Sequence, residues 1–489
     1  MHTRITPPRR HRPTWRSLPV VAAIGAMAVL VTSCAPESSD SATPTTLRRP
    51  GSLNGGDSVS TTTPAPPSTS KPSSAAPTTA APTTVPVATV PPPSTAGVTL
   101  RPIDGGPDYF ARWSNSFSTA PTFYPVGVWG ETFIDDSSSR TLIDNYATMG
   151  INYFPGDWGL PAGIGSYMNS KGMYSNAGGG SNPAKGAQTT TDEPDWRGCA
   201  SNSGGGAGDA PAAIGQCSTM NSATGAANTG PVNPTFMQKW ATHLRGQDPT
   251  RPVWTNFTKV EKAGTDAQDY WVDDADARAY IASADVISYD WYVLTDAGHY
   301  TPTSWGYVWK QGDAVRNTRR LADYAKPVSA FIETSYVTDY ATYRPTAADV
   351  NAEVWNAIIG GARGITYFNH DFKVGSGRVL FDSRYADIGA QVTRTNALIK
   401  SLAPVLNAPY ADGYATAPTT LNTMVKAYNG SYYIFATSRQ TTSLTTTLNV
   451  RSGTTVEVIG ENRTLPITGG TITDTFANQN AVHIYKITP

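Results

Sequence analysis

The sequence predicts an α/β fold: a (β/α)8 TIM barrel followed by a small C-terminal antiparallel β-sandwich. Three observations predict it. From about residue 120 to 405, eight short apolar, β-rich runs alternate with stretches of helical periodicity, the signature of βα units around a parallel sheet. From about residue 409 onward the pattern is strand alone, with Asn-Gly and Gly-Gly at the turns. The stretch from residue 35 to about 97 lacks the apolar periodicity needed to build a core. The 489 residues therefore divide into a leader (1–34), a stalk (35–97), a barrel (98–408) and a sandwich (409–489).

The leader carries Arg4, Arg9, Arg10, Arg12 and Arg16 and no acidic residue, and the apolar run LPVVAAIGAMAVLV follows at 18–31. A basic head and a short apolar run read as a secretory signal, too short for a typical transmembrane span. Val31-Thr32-Ser33-Cys34 resembles the bacterial lipobox. That resemblance implies cleavage before Cys34, lipidation of its thiol and anchoring to the cell membrane on its outer face. An ordinary signal peptide with an incidental Cys34 would leave the protein secreted. The stalk, as in TTTPAPPSTSKPSSAAPTTAAPTT, is Pro, Ser, Thr and Ala, too poor in apolar surface to offset its ordering entropy and kept extended by proline.

The chain carries 37 basic and 37 acidic residues, and removing the leader's five Arg leaves 32 against 37. A slightly acidic chain without a basic cluster is not expected to bind nucleic acid. Cys199 and Cys217 bracket CASNSGGGAGDAPAAIGQC, a Gly/Ala-rich loop in an exported chain, and are expected to form a disulfide. No metal is expected, because the six histidines are scattered without ligand spacing.

The eight runs are YPVGVWG (124–130), GINYFPGDW (150–158), KGMYSNAG (171–178), QTTTDE (188–193), RPVWTNFT (251–258), ADVISYDWYV (284–293), KPVSAFIETS (326–335) and GITYFNHD (364–371). Helical patterns between them include SRTLIDNYATMG, NPTFMQKWATHLRG, DADARAYIASA, GDAVRNTRRLADYA and AADVNAEVWNAIIGGARG, with GAQVTRTNALIKSLAPVL after the eighth. One unit is short. Only GGSNPAKGA joins the third and fourth runs, so the third helix is expected to be missing or reduced to a turn. Residues 197–232, after the fourth run, are by contrast a long insertion on the face where barrels keep their active sites. KAYNGSYY and PITGGTIT carry the hairpin signals of the sandwich.

The stretch TTTDEPDW (189–196) takes the chain from β-branched threonines into Asp192 and Glu193, and Pro194 then ends the strand. The seventh run ends in Glu333, in AFIETSY. Two carboxyls at the carboxyl ends of barrel strands are what glycoside hydrolysis needs: one to protonate the leaving oxygen, one ionised to attack or to activate water.

At this point the sequence resembles glycoside hydrolase clan A, the (β/α)8 retaining glycosidases with glutamates on strands four and seven. The resemblance spans about 120–405 and rests on DEP at 192–194 and IET at 332–334. PVGVWG, GIN, DEPD, DPTRPV, DVISYDWY, KPV…IET and GITYF, in that order, are similar to an uncharacterised bacterial branch of the clan. It implies Glu193 as general acid/base and Glu333 as nucleophile, acting without a cofactor on a polysaccharide or oligosaccharide. The clan usually has Asn before the acid/base, whereas this chain has Asp192, which can accept from a sugar hydroxyl and would raise the Glu193 pKa if both were close and unpaired.

Further candidates for substrate binding are Asp290 and Tyr292 in YDWY, where Tyr292 either hydrogen-bonds the nucleophile or packs as an aromatic, and His370 in FNHDF. Trp129, Trp158, Trp196 and Trp291 fall at or beyond strand ends as stacking platforms, whereas Trp240, Trp254 and Trp355 read as core. The alternative to an enzyme is a carbohydrate-binding or cell-wall scaffold barrel without catalysis, to which the short third unit and Asp192 give weight. An aldolase reading lacks its lysine, since no Lys closes a run. A monomer is expected.

Overall fold

The computed structural model describes residues 97–156, 159–176, 182–199, 210–220, 230–265, 272–295 and 306–489. Cys34, nearly all of the stalk, Trp158 and residues 200–209 of the insertion lie outside the described residues.

The first described strand, β1 (Thr99–Arg101), stands apart from the barrel. Eight parallel strands follow, one in each run: β2 (Val126–Trp129), β3 (Tyr153–Phe154), β4 (Tyr174–Ser175), β5 (Gln188–Asp192), β6 (Val253–Phe257), β7 (Val286–Tyr289), β8 (Val328–Glu333) and β9 (Gly364–Phe368). Their order in the sheet is β4-β3-β2-β9-β8-β7-β6-β5, and one short bridge between Ser175 and Gly186 joins the two ends. There the Ser175 amide donates to the Lys185 carbonyl (2.9 Å) and the Ala187 amide to the Ser175 carbonyl (3.3 Å). Gly186 is required at this closure: its φ is +142°, and a Cβ would collide with the Ser175 carbonyl.

The runs are continuously apolar because both faces are covered. Trp129, Tyr153, Trp254, Phe331 and Phe368 fill the barrel interior, while Val128, Phe154, Ile287, Ile332 and Tyr367 pack outward against the helices. Tyr109, Phe110 and Phe117 belong to the interior cluster and close the amino-terminal end, where Phe117 stands edge-on to Tyr153 at 5.0 Å. The Tyr109 hydroxyl donates to the Asp285 carbonyl just before β7 (2.6 Å).

Helices α1 (Ser137–Thr148), α2 (Ala162–Ser170), α3 (Pro234–Gln247), α4 (Asp274–Ser283), α5 (Lys310–Leu321), α6 (Ala347–Gly360) and α7 (Ala386–Leu406) surround the sheet. Local chemistry sets their ends. Asp136, Asn233 and Asp273 cap the starts of α1, α3 and α4, and Thr346 with Asp349 makes a capping box on α6. Between β4 and β5 the described residues 182–187 contain no helix, as the short linker predicts. The buried Arg251 guanidinium holds this segment instead, donating to the carbonyls of Asn182 (2.5 Å) and Ala184 (2.9 Å).

After α7 come β10 (Tyr410–Asp412), β11 (Ala415–Thr416), β12 (Leu421–Tyr428), β13 (Ser431–Ser438), β14 (Leu444–Val450), β15 (Thr455–Val458), β16 (Arg463–Pro466), β17 (Thr471–Phe476) and β18 (Val482–Ile487). They form a seven-stranded sheet, β1-β10-β12-β13-β18-β15-β16, facing a three-stranded one, β11-β14-β17, across a shared apolar core. The Asn429-Gly430 turn joins β12 to β13 with both residues at positive φ, as a tight hairpin demands. The Gly469-Gly470 turn is also a tight hairpin turn, Thr468 and Thr471 exchanging backbone hydrogen bonds at 3.0 Å, but the pairing stops there because β16 and β17 belong to opposite sheets.

Residues 99–101, read from sequence as the start of the barrel, add an edge strand to the sandwich. Thr99, Leu100 and Arg101 pair with Asp412, Ala411 and Tyr410, and Arg101 and Asp412 form an ion pair at 2.8 Å. The barrel and sandwich also share a polar seam: Asn422 donates to the Asn356 side chain (2.9 Å), Thr437 donates to it as well (2.7 Å), and Arg439 grips Asp313 (2.7 and 3.0 Å). Trp355 stacks on Phe435 at 5.9 Å.

Candidate active site at the carboxyl ends of the barrel strands

Glu193 is the first residue past β5, and it sits in the left-handed region at φ +48°. A non-glycine residue there is uncommon and has to be held by its surroundings. Its amide donates to the Asn256 carbonyl on β6 (3.0 Å), and its own carbonyl accepts from the amides of Trp196 (3.1 Å) and Arg197 (2.8 Å). Asp195 fastens the turn. Fully buried, its carboxylate accepts from the amides of Thr258 (3.0 Å), Lys259 (2.6 Å) and Val260 (3.0 Å) at the head of the loop after β6. Burial, with Glu261 nearby, raises the Asp195 pKa to about 7 against these amides.

The Glu193 side chain lies within a nest of charges. Its carboxylate pairs with the Arg197 guanidinium, four residues on. Asp192 accepts from the Asn256 side-chain amide at 2.9 Å, and Asp290, just past β7, lies beside Glu193. Burial first, and Glu193 second, push Asp192 and Asp290 well above the ordinary carboxylate range. The Tyr292 hydroxyl lies 3.5 Å from Asp290, and the Tyr292 ring packs on Phe368 at 5.2 Å. Three predicted carboxyl residues and one predicted tyrosine thus meet at the ends of β5 and β7.

Glu333 is held by the next loop and by α6. It ends β8 with 0 % exposure. Its Oε1 accepts from the Leu294 amide (2.7 Å) and its Oε2 from the Thr295 amide (2.8 Å), both in the loop after β7. Its side chain also lies against the carboxyl of Glu353 on α6, itself 0 % exposed. Burial raises Glu333 to about 7, and the neighbouring Glu353 carboxyl with the donors of Thr295 and Leu294 acts against that rise. Glu193 and Glu333 thus each have their own set of partners.

The aromatic candidates divide. Trp196 stands half exposed beside Glu193, with Arg197 and Lys259 within 5.2 and 5.6 Å of its ring. Trp129 and Trp291 are buried instead, Trp129 on Trp254 (6.0 Å) and Phe331 (5.2 Å) in the barrel interior, Trp291 in the helix-facing core. A barrel this narrow fills its interior with such rings. His370 lies over Gly130, its Nε2 3.2 Å from the Trp129 carbonyl and its ring parallel to exposed Phe372. Cys199 and Cys217 form the expected disulfide.

Asn256, Arg197, Asp195 and Glu353 escaped the sequence reading. Asn256 is a polar residue next to the last of β6, so the rule that found Asp192 reaches it too. Glu353 had a sharper signal, an acid among Val350, Val354 and Ala357 on the buried stripe of α6.

No family model and no curated protein matches the chain. Among solved structures it is similar to the α-amylase of Geobacillus thermoleovorans in complex with acarbose, at TM-score 0.46 and 9% identity over 75% of this chain and 98% of that one. It is also similar to a GH30 endoxylanase from Clostridium papyrosolvens C71 (TM-score 0.39, 10% identity, 78% and 98% covered). A third is the α-L-arabinofuranosidase of Thermotoga maritima in its arabinose complex (TM-score 0.40, 8% identity, 75% and 97%). Superpositions this loose carry no argument about activity.

Proposed function

We propose that the protein is an exported glycoside hydrolase, anchored through Cys34, that cleaves O-glycosidic bonds of a polysaccharide or oligosaccharide with retention. The observation that carries this reading is the meeting of Asp192, Glu193 and Asp290 at the carboxyl ends of β5 and β7, beside half-exposed Trp196. Glu193 serves as the acid. Asp290, whose carboxyl is pushed well above the ordinary range by burial and by Glu193, lies beside it as a source of the proton for the departing oxygen. Glu333 serves as the nucleophile: two backbone amides and Glu353 orient its carboxylate. Attack at the anomeric carbon forms a glycosyl ester on Glu333 as the aglycone leaves with the proton. Water, deprotonated by Glu193, then hydrolyses that ester. Trp196 offers a flat face for a sugar ring.

The full burial of Glu333 favours a second reading, a carbohydrate-binding barrel that does not turn over. Trapping separates the two. A 2-deoxy-2-fluoroglycoside of a sugar the protein accepts is expected to label Glu333, found by mass spectrometry of the digested protein. Saturable glycan binding without label, or release of the inverted anomer, would reject the retaining hydrolase.

A further inference from the structure

The Glu333–Glu353 pair poses a problem of charge. Glu333 ends β8, Glu353 sits in the second turn of α6, and both are 0 % exposed. Two ionised carboxylates side by side without water or a counter-cation would repel strongly. None of the largest influences on either group comes from a cation. Glu353 is acted on by the Glu333 carboxyl and by Asp349 of its own helix, which raise it, and more weakly by the Glu333 backbone amide, which lowers it; Glu333 is acted on by Glu353 and the donors of the loop. The neighbours that feel the pair are Tyr289 on β7, which also faces Glu261, Arg316 and Asp313, and Tyr343 before α6, whose hydroxyl donates to Asp349 (2.7 Å). Neither Glu353 oxygen has an N–H or O–H donor as a hydrogen-bond partner from another described side chain. A buried carboxyl in that setting is satisfied when it carries a proton and donates it.

We propose that Glu353 is a positioning residue: it stays protonated and donates its proton to the Glu333 carboxylate, holding that group ionised and aimed from the helix side while Leu294 and Thr295 hold it from the loop. The pair shares one proton across the working pH range. This deepens the hydrolase reading and rests on it for the role of Glu333, but the shared proton itself is independent of any substrate.

The wild type is compared with Glu353→Leu and Glu353→Gln in the full mature protein, by kcat/KM against pH on a cleaved glycoside, thermal melting, and infrared difference spectra of the carboxyl C=O band without substrate. Loss of the donor in Glu353→Leu moves the acidic limb of kcat/KM upward by about one pH unit, a roughly tenfold loss at limiting protonation. Glu353→Gln, which keeps an N–H donor, recovers most of that loss. The difference spectrum of wild type minus Glu353→Gln shows a protonated-carboxyl band above pH 7, from which any contribution of Asp192 and Asp290, common to both proteins, cancels. An acidic limb that stays put in Glu353→Leu while melting falls would reduce Glu353 to packing. A band unchanged in Glu353→Gln would overturn the shared proton. If no glycoside is cleaved but the band behaves as expected, the hydrolase reading fails and the proton-sharing pair stands.

Discussion

Asp195 shows how one side chain can shape the candidate site without touching a substrate. Its carboxylate gathers three consecutive amides of the neighbouring loop, so the turn holding Glu193 at φ +48° is braced against β6. Asp195→Ala would leave those donors in a buried place without an acceptor. The expected cost is about 2–4 kcal/mol, read as a drop in chemical-denaturation midpoint, with Asp195→Asn less damaging. A stability unchanged in Asp195→Ala would show that water satisfies the amides. At this scale the sequence was half legible. Asp192, Glu193, Asp290 and Tyr292 were found because polar residues at strand ends stand out against apolar runs. The partners of Glu333 were not, because a backbone amide leaves no mark in the sequence and Glu353 lies 20 positions away on a helix.

Elements were easier to foresee than their closure. All eight barrel runs became strands because alternation with helical patterns persists over some 250 residues, and such long-range regularity is hard to produce otherwise. Helix α2 was missed: Gly163 and Gly165 lower its propensity and mask its apolar stripe, yet Gly165 is small because it meets the Ala184 backbone. The weakest join lies between β4 and β5, where one short bridge closes the ring. Gly186→Ala is expected to destabilise by about 1–3 kcal/mol, because the methyl meets the Ser175 carbonyl and the φ of +142° suits only glycine. Hydrogen exchange would then quicken at the Ser175 and Ala187 amides before the rest of the barrel. Uniform exchange would argue that the closure is not a separate weak point.

Over the whole molecule, buried carboxyls govern how stability responds to pH. Asp195 and Glu333 are raised to about 7, and Asp192, Asp290 and Glu353 are raised well above the ordinary carboxylate range, all chiefly by burial. Each binds its proton more tightly folded than unfolded. Their contribution is therefore complete below about pH 4, the unfolded carboxyl value, and is lost as pH rises towards 7. Carboxylates lowered by ion pairs or by hydrogen-bond donors, such as Asp274, Asp313 and Asp474, lose theirs only below that value. The melting temperature is expected to be higher at pH 5 than at pH 8, and a rise from 5 to 8 would mean that these groups are hydrated or paired in solution. The edge strand β1 binds the chain preceding the barrel to the sandwich that follows it, a link no local pattern announces because its partner lies some 310 residues away.

The most direct measurement is turnover of aryl glycosides and cell-wall polysaccharides by the mature protein, beside Glu193→Gln and Glu333→Gln. Hydrolysis of one sugar class, reduced at least about a thousandfold in both variants with melting temperatures preserved, is the expected result. Hydrolysis that survives in either variant, or binding without hydrolysis by the wild type, would contradict the assignment.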